Sequence, residues 1–438
     1  MDNLTIFDVI YPKYKITKPI RLIEFFAGYG SQALALKYLG VKFEHWKLCE
    51  WAVKSIQAYK DIHFTDDNTD YLEQQPYSNK EEWLTSWLFE KGISNNYNEP
   101  MTKQQIMRLS KTKKKTIFNN ICATHNLVNI QQVKGQDLEI TDKNKYDYIL
   151  TYSFPCQDLS LAGKGKGMSD TSTRSGMLWE VERILKELKE TDSLPQVLLM
   201  ENVPQVHSVD NTPDFNKWQI ELNKLGYKNY WEDLIATDYG IPQTRNRCFM
   251  VSILGDYNYT FSRKQELKLR LKDLLEDNVD EKYFISDKLI RYYDKKIQQG
   301  WRKELHTDEN IAMTICNPAR NQINDNFIKV KNATKKGYLE ATDGDGVDIS
   351  SRMEYHRGTV QKGKTQTLTT MGGENNGVVS KDLRIRKLTP RECFRLMGVK
   401  DEDYEKVKVN QSDPSLYHLA GDSIVVNVLM AIFKEMIN

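Results

Sequence analysis

The chain has 438 residues, of which 39 % are hydrophobic and 28 % charged. At about 150 residues per domain, that length suggests two to three domains, and the balance excludes a disordered chain or a coiled coil. The formal net charge is only +2, which excludes nucleic-acid binding through bulk charge and leaves any such role to local basic patches.

Residues 22–27 read as a buried strand. A glycine-containing turn and a helical pattern follow, and the pattern stops at Gly40, where a C′ glycine suits the end of a helix. Residues 41–50 read as a second strand. Strand, turn, helix and strand in this order begin a βαβ unit and predict an α/β fold with an open, mostly parallel sheet. From about 60 to 135 the chain is polar and rich in Lys and Asn, with helical stretches at 80–89 and 103–110. This predicts an insertion on the sheet. Its lysine run at 111–115 reads as a solvated face or a phosphate contact.

The α/β rhythm returns with a strand at 146–152, a Gly/Ser/Thr loop at 157–176 and an amphipathic helix at 177–188. A strand at 197–200, a helix at 215–225 and a strand at 247–254 follow. After residue 255 hydrophobic periodicity weakens, which predicts a second, smaller, irregular domain. The apolar helix at 424–433 then needs a partner, and the sheet is the obvious one. It is half the roughly 20 residues of a membrane span, and residues 1–10 lack the basic region of a signal peptide. The predicted division is 1–254 plus 405–438 as one domain and 255–404 as the other.

Six cysteines stand at 49, 122, 156, 248, 316 and 393, with no CxxC spacing, and seven histidines show no metal-finger pattern. Neither a metal site nor a disulfide framework is expected, and a reducing, cytoplasmic setting fits.

Several short stretches carry possible chemistry. Gly28-Tyr29-Gly30-Ser31-Gln32-Ala33 has the G-x-G-x-x-A spacing of a nucleotide-binding turn. Glu50 follows Gly28 by 22 residues and could accept bonds from both ribose hydroxyls, with Trp51 beside it to cover an adenine. The turn alone does not decide between a dinucleotide and S-adenosylmethionine. Asp137 could take an adenine amino group or be a surface acid. Cys156 lies just past a strand in Phe154-Pro155-Cys156-Gln157, at the sheet edge where open α/β folds place ligands. Pro155 forces the turn that presents it. Alone, such a cysteine is more often a small buried hydrophobe than a nucleophile. Glu201 ends the next strand and brings a carboxylate to the same edge, a pairing that suits nucleophilic attack with proton donation. Arg245 and Arg247, at i and i+2 on extended chain, point the same way and could orient a carboxylate or grip base oxygens.

In this order the pieces resemble the DNA (cytosine-5-)-methyltransferase family. Phe26-Ala27-Gly28-Tyr29-Gly30 resembles its cofactor motif, Phe154-Pro155-Cys156-Gln157 its nucleophile motif and Glu201-Asn202-Val203 its acid motif. Gln243-Thr244-Arg245-Asn246-Arg247 is similar to its paired-arginine motif. The stretch 386–398 resembles a late motif, and Ala420-Gly421-Asp422-Ser423 the last one. Six ordered matches span 21–433. The catalytic half also resembles single-chain bacterial enzymes that methylate CpG, which carries no target sequence. Two departures stand out: Asp422 replaces the usual Asn, and the 60–135 insertion is long.

The resemblance implies a Rossmann-like sheet, S-adenosylmethionine as cofactor and double-stranded DNA as partner. It implies attack by Cys156 on cytosine C6 of a flipped base, with Glu201 at N3 and Arg245 and Arg247 on the base. Phe26, Ala27, Gly28, Gly30, Glu50, Trp51, Asp137, Pro155 and Ser423 would bind the cofactor. Gln157, Ser160, Lys164 and Arg174 on a closing loop would contact DNA. A recognition part around Arg352, Arg357, Thr367 and Gly372 would read it. Local charge supports this, with Arg352, Arg357, Lys362 and Lys364 against Glu354, and five cations against Glu392 over 383–395. A monomer, with a restriction endonuclease as functional partner, is expected. The same chemistry on transfer RNA is the alternative; a nicotinamide oxidoreductase would leave Cys156 and Glu201 unexplained.

Overall fold

The computed structural model describes residues 11–77, 80–155, 175–284, 328–334, 337–348, 358–370, 376–380 and 385–437. Its frame is a six-stranded sheet in the order β2-β1-β3-β4-β6-β5. The strands are β1 (Ile20–Phe25), β2 (Phe43–Cys49), β3 (Asp147–Tyr152), β4 (Val197–Asn202), β5 (Tyr227–Ile235) and β6 (Asn246–Leu254). β2, β1, β3 and β4 pair in parallel. β6 runs antiparallel to both β4 and β5. The expected parallel sheet therefore ends in an antiparallel hairpin.

β5 was not among the predicted strands. It is an edge strand with one exposed side, and Lys228, Asn229, Glu232 and Asp233 blur its alternation. The inner strands β1, β3 and β4 are buried throughout, so they read as continuous apolar runs. Alternate residues serve opposite faces, the two-residue period of a strand. Leu22, Ile149, Leu199 and Val251 enter one core, while Ile23, Leu150, Met200 and Met250 enter the other.

Helix α1 (Ser31–Tyr38) follows β1 and buries Ala33, Leu34, Ala35 and Leu36. Helix α2 (Val53–His63) follows β2. The insertion forms α3 (Lys80–Lys91), α4 (Lys103–Met107) and α5 (Lys111–Ala123). Their apolar sides meet in a separate core of Leu84, Leu88, Ile106, Ile117, Phe118 and Ile121, flanked by Trp83 and Trp87. The lysine run lies within α5, not in a loop, and only part of it is solvated. Lys114 is buried and bonds Thr85 at 3.1 Å, and Lys115 pairs with Asp70. Helices α6 (Leu178–Glu190) and α7 (Thr212–Leu225) cover the second face of the sheet.

The region beyond 255 contributes β7 (Ile328–Lys331) paired with β8 (Tyr338–Ala341). A four-stranded antiparallel sheet orders β10 (Val360–Gln361), β9 (Gly346–Asp348), β11 (Asn376–Val379) and β12 (Ile385–Lys387). Helices α8 (Pro390–Leu396), α9 (Asp401–Lys408), α10 (Asp413–Gly421) and α11 (Val426–Ile437) close the fold. Phe394, Leu396 and Tyr404 pack with Val407 in the core of the large sheet, although the sequence pattern grouped these three with the smaller domain. The window Asp413–Ile437 has the length and hydropathy of a membrane span, but 67 % of it is buried inside the fold. In place of one span it is two helices broken at Asp422, and α11 packs Leu429, Ile432, Phe433 and Met436 into the core.

Candidate active site

Strand register assembles the site. Phe25 aligns with Tyr152, and Tyr152 with Met200. Asn202 lies opposite Cys248 across the antiparallel pair. The turn at 26–30, residues 153–155, the pair Glu201 and Asn202, and residues 245–247 therefore share one edge. β1 sits between β2 and β3, so this is also the switch point where an open α/β sheet has its crevice.

The cofactor side begins at the turn. Phe26 adopts a left-handed φ of 57° and bonds the Cys49 carbonyl at 2.8 Å. The Gly30 amide bonds the Ala27 carbonyl at 2.9 Å, and Gly30 opens α1. Gly28, at φ +56°, faces open space: a β-carbon built there meets nothing within 4 Å. Glu50 accepts the amides of Gly28 at 2.9 Å and Ala52 at 2.7 Å, one on each carboxylate oxygen. Each oxygen keeps a second lone pair, so the group still fits a vicinal diol. Burial pushes its carboxyl up to about 7 against the pull of those amides. Trp51 is half-buried and packs against the insertion core.

Asp422 and Ser423 join this side from the end of α10. Ser423 bonds the Leu419 carbonyl through its hydroxyl. Asp422 keeps its side chain open to solvent while protein mass surrounds it on a wider radius. That mass pushes its carboxyl up to about 6; Arg245 opposes the rise and Glu201 adds to it. An open glycine turn, a carboxylate with free lone pairs and a second acid facing the cleft fit a nucleoside bearing a cationic tail.

Asp137 is not part of this cluster. Its carboxylate turns back to cap its own turn, taking the Lys134 amide at 2.8 Å. The segment at the end of β2 is instead Asn126 to Asn129. Leu127 donates to Leu48 at 2.8 Å, and the Asn126 side chain exchanges bonds with the Glu50 backbone at 3.1 and 2.9 Å. Sequence reasoning missed Asn126 because no apolar run marks this segment.

On the catalytic side, Glu201 is buried at the end of β4. One carboxylate oxygen accepts the Ser153 hydroxyl. The other lies 3.2 Å from Arg247 Nε. Asn202 donates to the Phe154 carbonyl at 3.0 Å, which fixes the chain entering Pro155. Cys156 follows at once but lies outside the described residues, as do Gln157, Ser160, Lys164, Arg174, Arg352, Arg357 and Gly372.

The two arginines separate. Arg247 reaches Glu201, whereas Arg245 is buried and holds the carbonyls of Leu368 at 3.2 Å and Ser423 at 2.7 Å. Arg245 is thus a strut between the two segments, not a group on the base. Gln243 does similar work, donating to Leu396 at 2.8 Å and accepting from Leu368 at 3.1 Å. Thr367 sits on the same segment and reaches the Thr244 carbonyl at 3.5 Å. Gly421 packs on it as well: a β-carbon there would lie 2.3 Å from the Thr369 backbone.

The positive charge counted over 383–395 is largely engaged within the protein. Arg386 and Glu392 form a buried bidentate pair at 2.8 and 2.7 Å. Arg391 pairs with Glu276, Asp401 and Glu405, and Arg395 with Asp401. These residues brace the α8 region and do not present a phosphate-binding face. Among the described residues, His207, Asp233 and Cys248 alone group as metal-type ligands, and Asp233 already takes His207 Nε2 at 2.9 Å.

A family model for the C-5 cytosine-specific DNA methylase matches residues 100–438. The chain is 31 % identical over 427 residues to the type II methyltransferase M2.ScrFI of Lactococcus lactis subsp. cremoris, covering 95 % of this chain and 99 % of that one. It is 30 % identical over 423 residues to the orphan methyltransferase M.SssI of Spiroplasma monobiae, covering 96 % and 97 %. Two solved structures share the fold. The Entamoeba histolytica methyltransferase EhMeth has a TM-score of 0.56 at 14 % identity, covering 96 % of this chain and 98 % of that chain. Spodoptera frugiperda DNMT2 has 0.52 at 17 %, covering 95 % and 99 %. Likeness of that extent, along nearly the whole chain, makes this protein a member of the C-5 cytosine-specific DNA methylase family and a DNA cytosine methyltransferase.

Proposed function

We propose that this enzyme methylates C5 of a cytosine flipped out of duplex DNA at one short target sequence, through a covalent bond between Cys156 and C6. The observation that carries the reading is the held carboxylate of Glu201, fixed by Ser153 and Arg247 beside a Phe154 carbonyl tethered to Asn202. That geometry holds an acid beside the chain that leads into Pro155. S-adenosylmethionine, when bound, supplies an electrophilic methyl group. Gly28, Glu50, Trp51, Asp422 and Ser423 would hold it.

The target base must leave the stack for its C6 to be reached. The Cys156 thiolate forms a bond to C6, and the π electrons of the 5,6 bond move onto C5. Glu201, at N3, stabilises the charge that develops on the ring. Arg247 keeps the Glu201 carboxylate in its rotamer. Once C5 carries the methyl group, a base removes its proton, the C5–C6 double bond re-forms and Cys156 leaves as thiolate. The part that reads DNA is the antiparallel region within 255–404, with 388–407 belonging by packing to the methyl-transfer part.

The test is to incubate the protein, and Cys156→Ser, with S-adenosylmethionine and random-sequence duplex DNA, and to map 5-methylcytosine at base resolution. Methylation of one short motif, absent in the variant, is the expected result. Unmodified DNA together with methylated transfer RNA would overturn the substrate.

A further inference from the structure

The long insertion reaches the cofactor side of the site through one loop. Ser94 is laced to the chain after β2, donating to Trp51 at 2.8 Å and accepting from Val53 at 2.9 Å. Met101 returns to Ile93 at 2.8 Å, so the loop closes on itself. Inside it the Asn96 side chain accepts the amides of Asn98 and Glu99 at 3.0 and 3.2 Å. Between them Tyr97 is held at φ 63°, a left-handed conformation that an aromatic residue rarely adopts. Such strain persists where surrounding structure imposes it, often at ligand sites.

The Tyr97 ring stacks on His418 of α10, with centroids 4.0 Å apart and planes 17° from parallel. The His418 carbonyl accepts the Asp422 amide at 2.9 Å, so the ring sits one turn before the acid of the cleft. The Tyr97 hydroxyl is buried beside Ser55, close enough to sense the carboxylates of Glu50 and Asp422. His418 Nδ1 is buried without a partner. Burial lowers the pKa of His418, so its neutral ring has one donor and one acceptor nitrogen. The stack therefore ties the chain after β2, which carries Glu50 and Trp51, to the end of α10, which carries Asp422.

We propose that Tyr97 and His418 form a clasp over the cofactor site, and that the insertion thereby helps to retain S-adenosylmethionine. The clasp rests on the reading that Glu50 and Asp422 border that site. Tyr97 and His418 are positioning residues in it: they close the pocket and slow escape.

The test is the equilibrium affinity and dissociation rate of S-adenosylmethionine on the full chain, by calorimetry and stopped-flow. Tyr97→Ala should weaken binding by about two- to tenfold, the scale of one stacked aromatic pair, chiefly through faster dissociation. An unchanged affinity and dissociation rate would overturn the clasp. Should Tyr97→Ala fail to fold, His418→Ala removes the stack from the α10 side and decides: a several-fold faster dissociation supports the clasp, and an unchanged rate overturns it. Glu50→Ala is measured alongside. Undiminished binding there would remove the site reading, whereas weakened binding there with normal Tyr97 and His418 variants would remove the clasp alone.

Discussion

Arg245 and Arg247 are two residues apart, and their replacements should fail in opposite ways. Arg245→Ala removes two charge-assisted bonds, to the carbonyls of Leu368 and Ser423, each worth about 1.5–3 kcal/mol. The loss is then about 3–6 kcal/mol. A chain of 438 residues has an unfolding entropy near 0.9 kcal/mol/K at about 2.1 cal/mol/K per residue, so each kcal/mol moves the melting temperature by about 1.1 °C. Arg245→Ala should therefore melt about 3–7 °C lower than the wild type. Arg247→Ala removes one ion pair to Glu201 and should lower it by about 2–3 °C. Their kinetics should separate in the other direction. Single-turnover transfer of a tritiated methyl group should collapse for Arg247→Ala, because Glu201 loses its orienting partner. For Arg245→Ala the larger change should be in the DNA concentration needed, because the Leu368 segment is released. Calorimetric melting and single-turnover assays on the two variants check this. An unchanged melting temperature for Arg245→Ala, together with abolished transfer at saturating DNA, would refute the strut and return Arg245 to the substrate.

Two further outcomes follow from the site. Asp422 and Glu50 ionise at higher pH in the folded chain than their ordinary values, so the native state holds extra protons from about pH 4 to 7 and these groups weaken it as pH rises through that range. Asp422→Asn should thus match the wild type near pH 4 and melt higher at pH 8; parallel melting curves across the range would contradict this. Gly421→Ala would drive a methyl group into the Thr369 backbone. Overpacking of this kind costs about 1–3 kcal/mol, and gel-shift affinity for DNA should fall more than calorimetric affinity for S-adenosylmethionine.

Much of the frame was legible because buried parallel strands leave uninterrupted apolar runs. β1, β3 and β4 each end at a residue the motifs single out, and register brings those ends together. What stayed hidden lacked such a signature. β5 is half-exposed and its charges break the alternation. Asp137 lies just ahead of β3, but its carboxylate is satisfied locally, and only the fold shows that Asn126 holds the place beside Glu50. Counting charge over 383–395 overstated a basic surface, because Asp401 and Glu405 just beyond that window, and Glu276 from distant sequence, reach these arginines. Arg245 looked like the twin of Arg247 on extended chain, and tertiary contacts from Leu368 and Ser423 distinguish them.

The covering of α1 by α11 has a consequence for synthesis. α1 is made among the first elements, and its apolar residues Leu34, Ala35 and Leu36 need Leu429, Ile432 and Phe433 to complete their core. Those partners emerge only after the entire antiparallel region. Chains fold from the N-terminus as they leave the ribosome only when a unit is whole. The methyl-transfer core therefore stays open until α11 has emerged, and the nascent chain must carry that uncovered apolar face until then.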